Sequence, residues 1–212
     1  MRLHGYWRSS AAYRLRIALN LKGIDYRQAT HDLRTGAQAD AGYAALNPQK
    51  LVPALETGDV VLTQSPAILE WLEETHPAPA LLPPDAKGRA VVRTMAAVIA
   101  CDIHPLNNLR VMTALRHDLG ASETQLSAWV ARWIADGFSA LEIMVDRHGG
   151  GFAFGDAPTI ADCCLVPQLY SAERFGVPLD GFPRLEAAGA TARALAAVAA
   201  AHPDRQPDAD GA

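Results

Sequence analysis

The stretch Met1-Arg2-Leu3-His4-Gly5-Tyr6-Trp7-Arg8-Ser9-Ser10-Ala11-Ala12-Tyr13-Arg14-Leu15-Arg16-Ile17-Ala18-Leu19-Asn20-Leu21-Lys22-Gly23-Ile24-Asp25-Tyr26-Arg27-Gln28-Ala29 switches between two patterns. Met1 to Tyr6 reads as a strand. Ser9 and Ser10 then precede a run in which Leu15, Ala18, Leu19 and Leu21 form the apolar stripe of a helix. Gly23 is placed to end that helix, because glycine accepts the left-handed backbone of a helix exit. Ile24 to Ala29 reads as a second strand, so the chain opens as strand, helical crossover, strand.

Downstream, Gly36 to Asn47 is polar, Ala-rich and without a clear period. Leu51-Val52-Pro53-Ala54-Leu55 and Val60-Val61-Leu62 are short apolar runs separated by Glu56-Thr57-Gly58-Asp59, which predicts a hairpin turning at Gly58-Asp59. Ser65-Pro66 predicts a helix start with the Ser65 hydroxyl as cap, followed by Ile68, Leu69 and Leu72. The order βαβ, irregular segment, ββα is that of an α/β thioredoxin-like domain with a mixed four-stranded sheet, expected over residues 1–80. His76 to Pro84 holds four prolines and serves as a linker. Residues 81–212 are expected to form an all-α domain, with Val92, Met95, Ala96, Ile99, Ile103 and Leu106 recurring at helical spacing. Thr159-Ile160-Ala161-Asp162 is a variant of the capping box. An Ala-rich helix is expected from Pro183 to Ala201, then an extended tail from His202.

With 19 Lys plus Arg against 23 Asp plus Glu, the net charge of -4 excludes a basic footprint for nucleic acid. The first ten residues lack an apolar signal core, and Leu195 to Ala201 is too short to span a bilayer, so a cytoplasmic protein with no membrane partner is expected. Cys101, Cys163 and Cys164 form no Cys-x-x-Cys pair and no ligand array with the seven His, so neither a disulfide framework nor a metal site is expected. All three cysteines are placed on helices of the second domain and expected to be buried.

Three weak features fall at one edge of the expected sheet. Ser9-Ser10-Ala11-Ala12 stands where a thioredoxin places its two cysteines, because free amides and the positive helix end favour a thiolate. No cysteine stands there, so a thiol handled at this turn must arrive with a ligand; the two serines are equally explained as helix caps. Val52-Pro53 offers either a peptide-pairing residue before a cis proline or a plain edge-strand proline. Gln64-Ser65 offers either an anion site at a helix start or a cap. Farther on, Pro105 is expected to bend a long helix and gather Asp102, His104 and Asn108, with His104 and Asn108 one turn apart.

Tyr6-Trp7-Arg8-Ser9-Ser10, Arg14-Leu15-Arg16-Ile17-Ala18-Leu19 and Lys22-Gly23-Ile24-Asp25-Tyr26 resemble the opening signature of zeta-class glutathione transferases, the family that contains maleylacetoacetate isomerase. Asn47-Pro48, Gln64-Ser65, Pro105-Leu106-Asn107-Asn108-Leu109, Leu165-Val166-Pro167-Gln168, Ala172-Glu173-Arg174-Phe175 and Arg205-Gln206-Pro207-Asp208 extend the resemblance over nearly the whole chain. Within the family it is most similar to the glutathione-dependent maleylpyruvate isomerase branch of gentisate breakdown. It departs at Ala11 and Ala12, where the family pattern has Cys and Ser, and at His104, where the family has Gln.

The resemblance implies a glutathione transferase fold, a homodimer, and a cis-trans isomerase in which a thiolate adds reversibly to the double bond of a maleyl keto acid. It implies Ser9 and Ser10 for the thiolate, and Gln38, Val52, Gln64, Ser65, Asp102 and His104 for glutathione. Arg8, Asn108, Arg110 and Arg174 are implied for a substrate with a carboxylate at each end, with Arg8 and Arg174 as its clamp. Maleylacetoacetate isomerisation and general transferase or peroxidase activity are the alternatives.

Overall fold

The computed structural model describes residues 1–210, which form two compact units: Met1–Leu81 together with the segment from Arg193 onward, and Leu82–Ala192. The first unit contains β1 (Arg2–Gly5), α1 (Ser10–Leu21), β2 (Arg27–Thr30), a 3-10 turn (Ala37–Ala39), α2 (Ala41–Leu46), β3 (Ala54–Thr57), β4 (Val60–Thr63) and α3 (Ser65–Thr75). The sheet order is β2-β1-β3-β4, with β1 parallel to β2 and antiparallel to β3, and β3 antiparallel to β4. The β3–β4 hairpin turns at Gly58, whose φ of +62° a side chain would strain. The ladder of β3 begins at Ala54, after the cis Val52–Pro53 bond, since Pro53 has no N–H to contribute.

Helix α1 is buried along nearly its whole length, with Leu15, Ile17, Ala18 and Leu19 at no more than 1% exposure. It packs on α3 and on α9 (Ala196–Ala200), so even Arg14 and Arg16 lie inside and must find internal acceptors. Arg16 donates from Nε to the Ala201 carbonyl at 3.0 Å and from Nη2 to the Trp7 carbonyl at 2.9 Å. Past α1, the buried Lys22 Nζ donates to Glu73 Oε2 at 2.8 Å and to the His76 and Pro79 carbonyls at 2.7 and 2.9 Å. Glu73 Oε2 also accepts the Leu81 N–H at 3.0 Å.

The expectation of one helical domain over 81–212 with an extended tail is corrected here. The Ala-rich run divides into α8 (Pro183–Arg193) and α9, and α9 with the following 3-10 turn (Pro203–Arg205) belongs to the first unit. The physical reason is that α1 needs an apolar cover, which Val198 and Ala201 supply at 1% and 0% exposure. Gly211 and Ala212 of that expected segment lie outside the described residues.

The second unit contains α4 (Ala86–Ala97), a π-helical turn (Val98–Ile103), a 3-10 turn (His104–Asn107), α5 (Leu109–His117), α6 (Glu123–His148), α7 (Ile160–Arg174) and α8. Pro105 sits in the 3-10 turn, so the long bent helix expected there is instead a helix that widens, tightens and stops. Gly137 of α6 lets the Ile103 side chain approach its backbone; a Cβ there would collide with it. Thr159 and Asp162 form the capping box of α7, as their spacing predicts. Among the described residues, no helix is long and apolar enough to cross a membrane.

Candidate active site

The passage from β1 into α1 is a tight turn closed by the Ser9 N–H donating to the Tyr6 carbonyl at 3.0 Å. It delivers Ser9 in extended backbone ahead of the helix, where its Oγ accepts the Ala12 N–H at 3.3 Å. The hydroxyl proton is left to be donated elsewhere, so capping and anion binding use opposite ends of one hydroxyl. Ser10 follows inside the first turn and is buried. The half-buried Arg8 lays its guanidinium over the Trp7 ring, 5.2 Å from the centroid.

Gln64 enters α3 with φ at +66°, uncommon for a residue with a side chain, and its Nε2 donates to Gln49 Oε1 at 2.7 Å. The expected Ser65 cap is corrected: Gln64 holds the cap position, and no side chain caps α3. Ser65 already lies within the helix, and its buried Oγ accepts from Arg14 Nη1 at 3.2 Å. The first-turn amides of α3 are thereby left without a side-chain acceptor. Gln38, in the 3-10 turn after β2, has a buried Oε1 that makes no hydrogen bond among the described residues. Val52 precedes β3, outside the registered ladder.

In the second unit, Asp102 is exposed and lines a cavity of about 520 Å³ with Cys101, Trp133 and Asp136. His104 opens the 3-10 turn, while Asn108 caps α5 by accepting the Arg110 N–H at 3.1 Å. Their expected placement one helical turn apart is corrected, because the 3-10 turn and the extended backbone of Asn108 separate them. Arg110 is exposed in the first turn of α5. Arg174 ends α7 with its guanidinium 4.5 Å from the Phe175 ring centroid. Cys163 and Cys164 are buried, but Cys101 is exposed, because it lies two positions past the buried Ile99 and so off the apolar stripe. Among the described residues, no cluster of three His, Cys, Asp or Glu side chains could hold a metal ion.

Residues 8–75 match the glutathione S-transferase N-terminal domain and residues 127–188 its C-terminal domain. Maleylpyruvate isomerase from Ralstonia sp is 51% identical over 98% of this chain and 99% of its own. The holo structure of a maleylpyruvate isomerase, a bacterial glutathione S-transferase of the zeta class, matches with a TM-score of 0.97 and 50% identity over 99% of this chain and 100% of that one. This chain belongs to the zeta class of the glutathione S-transferase family. Maleylacetoacetate isomerase from Anaeromyxobacter dehalogenans 2CP-1, with bound GSH in the active site, matches with a TM-score of 0.89 and 47% identity over 99% of this chain and 97% of that one. The same relative is also known with dicarboxyethyl glutathione and citrate in its active site.

In this zeta-class transferase two more residues touch the Ser9 turn. Arg16 grips the Trp7 carbonyl, and Asp208 Oδ2 accepts the Trp7 N–H at 2.9 Å. Arg16 carried a signal, a cation inside the apolar run of α1; Asp208 stands in a stretch that carries the family resemblance, but nothing local pointed to its partner, 201 positions away.

Proposed function

We propose that the protein is a glutathione-dependent cis-trans isomerase that converts maleylpyruvate to fumarylpyruvate, working as a cytoplasmic homodimer in the gentisate route of aromatic breakdown. The single observation that carries this is the start of α1: a cap hydroxyl and helix amides where a thiol is activated, and no cysteine in the turn. Glutathione fits the first unit, because the bare Gln38 Oε1 and the uncapped start of α3 are an acceptor and a set of donors that its amides and γ-glutamyl carboxylate would satisfy.

When bound, glutathione would supply the thiolate, adding to the cis double bond as the electron pair passes to the conjugated ketone and leaving again, with that pair restoring the double bond, once the single bond has turned. Ser9 donates its hydroxyl proton toward the sulfur while its oxygen stays bound to the Ala12 N–H, and Ser10 and the α1 amides add positive potential. Gln64 and Ser65 hold the γ-glutamyl end, and Val52 pairs with the peptide backbone. Asp102 of the partner subunit serves the amino group, and His104 also contacts glutathione. Arg8 and Arg174 each rest on the aromatic ring next to them in sequence, which holds the planar forks for bidentate contact with the two substrate carboxylates. Asn108 and Arg110 complete the substrate contacts.

Maleylpyruvate and maleylacetoacetate differ by one methylene, worth about 1–3 kcal/mol of discrimination in a pocket. The test compares kcat/KM for both with glutathione and with S-methylglutathione, in the native protein and in Cys101→Ser, which removes the exposed thiol. A preference of about tenfold or more for maleylpyruvate is expected, with full activity in Cys101→Ser and none with S-methylglutathione. A reversed preference would make maleylacetoacetate the substrate. Turnover with S-methylglutathione would overturn the borrowed thiolate.

A further inference from the structure

In the turn between β1 and α1, the backbone groups of Trp7 find their partners in or through the C-terminal segment. The Gly5 carbonyl accepts the His31 N–H at 2.8 Å, and the Tyr6 carbonyl accepts the Ser9 N–H at 3.0 Å. The Trp7 N–H donates to Asp208 Oδ2 at 2.9 Å. The Trp7 carbonyl accepts from Arg16 Nη2 at 2.9 Å, and Arg16 Nε is itself held by the Ala201 carbonyl at 3.0 Å. Trp7 is 7% exposed, so water is a poor substitute for either partner.

Asp208 is anchored on both sides. Before it, the buried Gln206 accepts from Gln28 Nε2 at 2.7 Å and donates to the Ala200 and His202 carbonyls at 3.1 and 2.7 Å. After it, Asp210 receives two hydrogen bonds from Arg34 Nη1, at 2.8 and 2.9 Å, while Arg34 also grips Asp32. The other oxygen of Asp208, Oδ1, is buried and makes no hydrogen bond among the described residues. A carboxylate with one bare oxygen is not what stability alone selects, since asparagine offers the same acceptor without the charge. A charged acceptor does give the stronger and more directional bond to a backbone N–H.

We propose that Asp208 is a positioning residue for isomerisation: its carboxylate fixes the Trp7 peptide and so sets the direction in which the Ser9 hydroxyl and the first amides of α1 face the glutathione sulfur. This rests on the glutathione-dependent activity proposed above. Asp208 touches neither sulfur nor substrate; it acts through Trp7 and Ser9.

The test compares Asp208→Ala with Asp208→Asn, which keeps an acceptor oxygen, and with Arg34→Ala, which removes the exposed anchor at Asp210 together with the Asp32 pair and the guanidinium 5.8 Å from the Tyr6 ring centroid. Three readouts are taken: hydrogen exchange of the segment 6–10 without ligand, the pKa of the enzyme-bound glutathione thiol from thiolate absorbance, and kcat and KM separately. Asp208→Ala is expected to raise exchange in that segment, to raise the bound thiol pKa by about one unit, and to lower kcat about tenfold while glutathione affinity stays within about threefold. Asp208→Asn restores part of each, because it keeps the acceptor but not its charge, and Arg34→Ala falls between native and Asp208→Ala, so the series stands even if Asp208→Ala fails to fold. Unchanged exchange and thiol pKa in Asp208→Ala, or in Arg34→Ala where Asp208→Ala does not fold, would overturn the assignment. An Asp208→Asn variant as impaired as Asp208→Ala would do the same. A native protein that binds glutathione without lowering its thiol pKa would instead remove the activity on which the assignment rests, and the assignment with it.

Discussion

Asp162 is held at 2% exposure while it closes the capping box of α7, and these two circumstances pull its carboxyl in opposite directions. Hydrogen bonds from the Ala153 and Thr159 N–H groups, both at 2.8 Å, and from the Thr159 hydroxyl at 3.0 Å favour the carboxylate. Desolvation favours the acid and prevails, so burial pushes the group from 3.8 up to about 6. The folded state then holds the proton more tightly than the unfolded chain. The resulting stability is fully present below about 3.8 and is lost as pH rises through about 6. Asp162→Asn is expected to flatten the stability of the protein across that window, followed by urea unfolding at a series of pH values. Asp162→Ala, which strands two buried N–H donors, is expected to cost about 2–4 kcal/mol in the same assay. Caps of this kind were legible because donor and acceptor lie three residues apart, as at Thr159 and Ser9. Ser65 was misread because the backbone at Gln64, with φ at +66°, is set by how β4 feeds α3 rather than by the preference of any residue there.

Among the elements, the proline-rich run after α3 is tied down by a buried ion pair. Lys22, one residue past α1, and Glu73, in the last turns of α3, are 0% and 6% exposed at their side chains and 2.8 Å apart. Together they hold the carbonyls of His76 and Pro79 and the N–H of Leu81. Removing one partner leaves a bare charge in the interior, so Lys22→Met is expected to cost about 3–5 kcal/mol, whereas Lys22→Met with Glu73→Leu recovers most of the loss. Chemical denaturation of the two single variants and the double variant measures the coupling. The strands and α1 could be read from periodicity, but the break at Val98 could not. Val92, Met95, Ala96, Ile99 and Ile103 keep helical spacing through it, so the widened turn leaves no mark on the apolar pattern.

For the molecule as a whole, the division into a sheet-bearing part and a helical part was legible from the change of pattern near residue 81. The return of the segment after Arg193 to the first unit was not, because its recognition surface on α1 is small, Ala-rich and far away in sequence. A chain stopped at Arg193 loses Val198 and Ala201 from the core and takes the Ala201 carbonyl from Arg16 Nε, and is expected to melt about 5–15 °C lower in calorimetry. That same return has a consequence for biosynthesis. The residues of α1 leave the ribosome well before the helix that covers them. All 111 residues of Leu82–Ala192 pass through the exit tunnel in between. The nascent sheet therefore waits with the apolar flank of α1 uncovered, and the serine turn takes its final shape only once the segment around Asp208 has emerged.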